Sequence, residues 1–208
     1  MAEPFRSGRK GLEVRLSDAE RELLASLFTQ LDTLLDDGRP ESDDPFDELA
    51  ALSGLAGLGE GIETLADADA ARDAAAPPAP DDPAIARLFP EANRDDPDAA
   101  AEFRRLTETG LRARKRAAAR AAAEVLSRPG TVLLDEGQAQ SLLKSLTDLR
   151  LVLGERLGLR TDDDATRLGA MLMVGIEPYE GWQPLAVTYE LLQHLQESLV
   201  QALMSKRR

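Results

Sequence analysis

The chain has 208 residues, a formal net charge of -13 and no cysteine. That length affords one domain with a sizeable core, and the lack of cysteine excludes disulfides, cysteine zinc sites and any thiol switch in this protein. Leu and Ala dominate while aromatics make up only 4%, so a mainly α fold is expected. MAEPFRSGRK at the N-terminus lacks the apolar core of a signal peptide, and no apolar run approaches the ~20 residues of a membrane span. The expected location is therefore the cytoplasm, with no membrane partner.

In chain order, Leu12, Val14 and Leu16 alternate with polar neighbours after Gly11, the pattern of a short strand. Ser17 and Glu20 then form the S-x-x-E capping box of a helix striped by Leu23, Leu24, Leu27, Phe28, Leu31, Leu34 and Leu35. Gly38 and Pro40 end it.

Between Asp36 and Asp82 lie fourteen acidic residues and two arginines, so the acidity of the chain belongs to this connector. Leu49, Leu52, Leu55, Leu58, Ile62 and Leu65 sit near helical spacing there, but Gly54, Gly57, Gly59 and Gly61 weaken any helix. The tract ADADAARDAAAPPAPDDP reads as an extended linker whose removal, Ala66 to Pro80, leaves the fold intact. The connector is either a solvated spacer or an acidic arm that screens the basic helix or mimics nucleic acid. This divides the single domain into an N-terminal strand-helix unit (1–38), the connector (39–83) and a helical remainder (84–208).

Asp82-Pro83 starts a helical turn or two that Pro90 closes, and Asp95 or Asp96 caps a long helix with Pro97 at its first position. Asp98 to Arg128 carries eight basic residues against four acidic ones. At roughly 100° per residue, Phe103, Leu106, Gly110, Leu111, Ala117, Ala118, Ala121 and Val125 fall on one side. Arg104, Arg105, Arg112, Lys115, Arg116 and Arg120 fall on the other, a candidate surface for a partner or nucleic acid. Arg114 breaks the pattern by projecting into the apolar sector. It is expected to be buried against Asp148, with Asp82 the alternative partner.

Val132 and Leu134 make a second strand, followed by the Asp135/Gln138 capping position and a helix carrying Leu142, Leu143, Leu146 and Leu149. This repeats the grammar of the N-terminal unit, as a duplicated unit or as the common way a strand enters a helix. The two strands are expected to pair, giving a helical bundle of about five main helices with a small two-stranded β ribbon. Arg150 and Arg156 lie in or beside the apolar sector of this helix and join Arg114 and Asp148 as candidate buried charges. They read as a structural salt-bridge lattice or as an anion pocket, with Glu155, Asp81 and Asp82 as further carboxylate partners.

Gly158 ends that helix with Leu159 as the Schellman contact, Thr161 or Asp162 caps a short helix, and Pro184 starts the last one. The last helix presents Leu185, Thr188, Leu192, Leu195, Leu199 and Leu203 on one face. His194 stands alone as a structural residue, and no nucleophile elbow, P-loop or strand-borne G-x-G-x-x-G occurs. Gly57-x-Gly59-x-Gly61 lacks the flanking strand. No catalytic residue, cofactor or metal site is therefore expected.

Three longer motifs stand out: D-P-A-x-x-R-L-F-P from Asp82, E-F-R-R-L-T-E from Glu102, and L-x-D-L-R-L-x-L-G-x-R-L-G from Leu146. With the first strand-helix unit and YELLQHLQESLVQAL near the end, they resemble the AosR-like family of actinobacterial proteins, long carried as a domain of unknown function. The resemblance implies a transcription regulator of the oxidative-stress response that cooperates with a sigma factor. The family's best-studied type senses oxidation through cysteines, and this chain has none. Expected partners are a sigma factor or RNA polymerase, with DNA and a second copy of the chain as further candidates. A helical adaptor that binds proteins only and never touches DNA is the alternative.

Overall fold

The computed structural model describes residues 3–8, 11–36, 80–90 and 95–206. Within them the order is β1 (Arg6–Gly8), β2 (Gly11–Arg15), α1 (Asp18–Leu34), α2 (Pro83–Leu88), α3 (Pro97–Ser127), β3 (Thr131–Leu134), α4 (Glu136–Arg156), α5 (Asp162–Val174) and α6 (Trp182–Lys206). The fold is mainly helical with a small antiparallel sheet, as the sequence predicts. The glycine-weakened helix from Leu49 to Leu65, the Gly57-x-Gly59-x-Gly61 loop and nearly all of the Ala/Asp/Pro tract lie outside the described residues.

Each helix begins where a capping side chain can take the amides that its first turn leaves free. Ser17 with Glu20, Asp135 with Gln138 and Thr161 with Asp164 form reciprocal capping boxes, while Asp82 and Asp96 cap helices that open on Pro83 and Pro97. Helix α4 ends in the expected Schellman turn: Gly158 has φ of 73°, and the Leu159 amide donates to the Gly154 carbonyl at 2.8 Å. The last helix starts at Trp182, two residues ahead of Pro184.

The two expected strands are neighbours. β2 and β3 run antiparallel with Val14 opposite Val132, and their alternation sends Leu12, Val14, Val132 and Leu134 into the core. The ribbon is three-stranded rather than two-stranded, because β1 pairs with the free edge of β2 in the order β1-β2-β3. Its residues Arg6, Ser7 and Gly8 are all exposed, so it carries no hydrophobic period that a sequence reading could detect. At Gly11 φ is 137°, and a Cβ there would collide with the Leu134 carbonyl; the close approach of β2 to the end of β3 requires glycine.

One apolar core joins the sheet to the helices. Leu24, Phe28, Leu31 and Leu35 of the first helix region meet Ala119, Ala122, Val125 and Leu126 of α3, and Leu142, Leu146, Leu149 and Leu153 of α4 meet Leu192, Leu195 and Leu199 of α6. α1 lies along α3, and α4 lies against α2, α3 and α6. Trp182, Ala186 and Tyr189 also face inward from α6, a part of the stripe that leucine spacing does not reveal. Arg21 is buried as well: it donates to the carbonyls of Leu16 (3.1 Å), Gly130 (3.4 Å) and Arg128. It thereby ties the start of α1 to the end of α3, where carbonyls have lost their helical partners.

Candidate functional site: the ionic face of the long helix

The side of α3 that packs on α1 is not the expected apolar side. Ala100, Glu108, Arg116, Ala119, Ala122, Val125 and Leu126 are its buried residues, while Phe103 is 51% exposed and Ala117 and Ala121 face outward. The phase read from the sequence was therefore misplaced. In an alanine-rich helix small apolar residues occur on every side, so the cations lie between helices when carboxylates await them there.

Those carboxylates come from α1 and Asp36 just past its end, from α3 itself and from α4. Arg116 donates from Nε to Asp32 at 2.9 Å and from Nη1 to Asp36 at 3.0 Å, with its side chain only 10% exposed. Arg120 reaches the other oxygen of Asp32 at 2.9 Å. Burial opposes ionisation of Asp32, but hydrogen bonds from Arg120 and Arg116 prevail and hold its carboxyl below the usual range. Arg116 is correspondingly raised, chiefly by its bond to Asp32. One turn up, Arg112 pairs with Glu108 at 2.5 Å, donates to the Leu35 carbonyl at 3.3 Å and lies 4.5 Å from the Phe89 ring centre. Arg105 forks onto Glu102.

Asp148 is buried, as expected, but its partner is Lys115 and not Arg114 or Asp82. The Lys115 Nζ donates to it at 2.6 Å. Burial still dominates and pushes the Asp148 carboxyl above its usual value, with Lys115 pulling it back only in part. Arg114 is exposed and corrects the sequence reading directly, since the rotation that buries Arg116 carries Arg114 to the outside. Arg104 is partly buried; neither it nor Arg114 makes a hydrogen bond or ion pair among the described residues.

Arg156 is exposed, not buried, and pairs with Asp82 at 2.5 Å across α4 and α2. The Asp82 carboxylate also accepts from the Ala84 amide; that bond first, then Arg156, holds its pKa down. Glu155 draws in Arg87 (2.9 Å) and Arg160 (2.6 Å). Arg150 is half-buried and differs from all of these: its acceptors are Gln196 (2.7 Å), the Tyr189 hydroxyl (3.0 Å) and Gln193 (3.4 Å). His194 is partly buried, and among the described residues its Nε2 has no hydrogen-bond partner.

The six cations proposed as a surface are thus not one surface. Arg105, Arg112, Lys115, Arg116 and Arg120 form a lattice with acidic residues of α1, α3 and α4, and only Arg104 stands apart. Asp32 and Asp36 were the residues missed. Asp32 follows Leu31 and sits one turn after Phe28, on the stripe that meets α3, and that position was the legible signal. Among the described residues no three His, Cys, Asp or Glu side chains converge as a metal set, and no helix is long and apolar enough to cross a membrane.

These features define a helical bundle on a small antiparallel sheet, stitched by interhelical ion pairs. The chain belongs to the family described as a domain of unknown function, DUF2017, which matches residues 2–203. No curated protein and no solved structure matches it.

Proposed function

We propose that this protein is a non-enzymatic transcription regulator of the AosR-like kind, acting in the cytoplasm through contacts with a sigma factor or RNA polymerase. The observation that carries the choice between protein and DNA is the fate of the long helix's cations. Arg112, Lys115, Arg116 and Arg120 are committed to Glu108, Asp148, Asp32 and Asp36. A guanidinium already neutralised inside the fold releases no counterion from a phosphate, so the electrostatic gain that drives DNA binding is small. The net charge of -13 acts in the same direction.

Contact with protein is supported by large apolar side chains left in water: Phe103 on α3, and Met173, Val174, Ile176 and Tyr179 around the end of α5, with Met173 91% exposed. Without cysteine, the signal is not read by disulfide formation. The test is affinity capture with purified RNA polymerase core enzyme and individual sigma factors, followed by transcription in vitro. Saturable binding to one of them, lost when Phe103 or Met173 is replaced by Asp in the folded protein, is expected. Absence of binding to all of them overturns the reading.

A further inference from the structure

A groove of about 650 Å³ runs between α4, α5 and α6, away from the ion-pair lattice of α3. Glu155 on its wall is paired with Arg87 and Arg160, whereas Arg150 and Glu190 make no ion pair among the described residues. Among the described residues Arg150 of α4 has no carboxylate within 4.0 Å; its guanidinium is held by neutral acceptors, Gln196, Gln193 and Tyr189, and lies 5.1 Å from the Tyr189 ring centre. Arg87, Arg112, Lys115, Arg116, Arg120, Arg156 and Arg160 each have a carboxylate partner, whereas Arg150 is held in place by neutral acceptors alone. Glu190 of α6 is the reciprocal case. It accepts no hydrogen bond and makes no ion pair among the described residues. Its Oε1 lies against the backbone of α5 at Gly169, 3.6 Å from where a Cβ would stand.

The two groups face one groove without closing on each other. A cation pre-oriented by neutral hydrogen bonds keeps its full charge for a carboxylate, and its planar fork suits both carboxylate oxygens. The Tyr189 hydroxyl accepts from Arg150 and retains its own proton, giving a second donor beside the first. A half-buried carboxylate with no donor gains most from an ammonium, which supplies three. Burial first, then the charge of Glu197, push the Glu190 carboxyl up, and the charge of Arg150, felt through space with no ion pair formed, only partly offsets them. The glycines at 154 and 169 and the alanine at 165 keep the groove wall low between these charges.

We propose that this groove binds a free α-amino acid, its carboxylate on Arg150 and Tyr189 and its ammonium on Glu190. The proposal stands apart from the choice of macromolecular partner, since no residue of the ionic face or of the exposed apolar set apart from the groove is involved.

The experiment is ligand-observed NMR and titration calorimetry on the full chain with the free α-amino acids of proteins, with acetate and methylammonium as single-charge probes. At least one amino acid is expected to bind saturably with Kd below about 1 mM, and acetate and methylammonium about tenfold or more weakly. Glu190→Gln and Arg150→Gln are each expected to weaken that binding about tenfold or more. Glu190→Gln, which removes only an unpaired charge, should keep the parent thermal midpoint; this guards against loss of folding in the Arg150 variant. Gly169→Leu should block binding without altering any charge. The proposal is overturned if no amino acid binds below about 1 mM, if acetate binds as tightly as the amino acid, or if the Glu190 variant binds like the parent.

Discussion

Replacing Lys115 by Met is the sharpest perturbation of the ionic face. Met keeps most of the aliphatic stem and removes the ammonium, so the loss falls on Asp148. The pair is well shielded: the Lys115 side chain is 18% exposed and that of Asp148 8%. Stranding one charge of a fully buried pair costs ~3–5 kcal/mol. The remaining exposure of Lys115 lets some water reach Asp148, which brings the expected cost to about 2–4 kcal/mol. For a domain of this size each kcal/mol moves the thermal midpoint by about 2–4 °C, so a loss of about 3 kcal/mol lowers it by roughly 6–12 °C. The penalty is electrostatic and follows the protonation of Asp148. Because burial raises its pKa, the folded state tolerates the neutral carboxyl, and stability falls as pH rises through that raised value. Removing Lys115 raises it further, so the deficit of the variant should be small in acid, grow as pH rises and then level off. Adding Asp148→Asn should restore part of the lost stability at neutral pH. Denaturant melts of the single and double variants across pH measure all three effects. A Lys115→Met midpoint equal to the parent's at neutral pH would refute the reasoning.

Other outcomes follow from the same geometry. Arg116→Ala is expected to cost about 2–4 kcal/mol and Arg114→Ala to stay within roughly 0.5 kcal/mol, measured by urea melts; equal losses would mean the phase of α3 is wrong. Asp32→Asn should destabilise at neutral pH. Because the folded pKa of Asp32 is depressed, its contribution is present above the ordinary value of 3.8 and disappears as pH falls through the lower folded value, so parent and variant melts converge in acid. Gly11→Ala puts a Cβ onto the Leu134 carbonyl at a positive φ and should separate β2 from β3, read as lost amide protection in both strands. Ser17→Ala removes one half of a capping box and should cost about 1 kcal/mol in a thermal melt.

What the sequence made legible were the boundaries. Ser17, Asp82, Asp96, Asp135 and Thr161 all cap the helices expected of them, because capping needs a short polar side chain at one position and little else. The β2–β3 pairing was legible too, since alternation at Leu12, Val14, Val132 and Leu134 matches burial. The rotation of α3 was not. Alanine fills both flanks of this helix, so the buried side is settled by what α1 and the residues just past its end offer, Asp32 beside Phe28 and Leu31 and then Asp36, and no local period of α3 records that. The burial of Arg21 is not legible for a similar reason: two of the three carbonyls it satisfies belong to residues 128 and 130, more than a hundred positions away. Lys115 and Arg114 are adjacent in sequence, and a misplacement of about 100° exchanges their roles.

The central claim is that the cations of α3 serve the fold and are not a phosphate-binding surface. A salt titration of binding to duplex DNA, followed by fluorescence anisotropy, tests it most directly. The expected result is weak or absent binding near physiological salt, with log Kd changing by less than about two per decade of salt, in line with at most Arg104 and Arg114 meeting phosphates. Submicromolar binding with a slope of about five or more, reduced by replacing Arg112, Arg116 or Arg120, would contradict it.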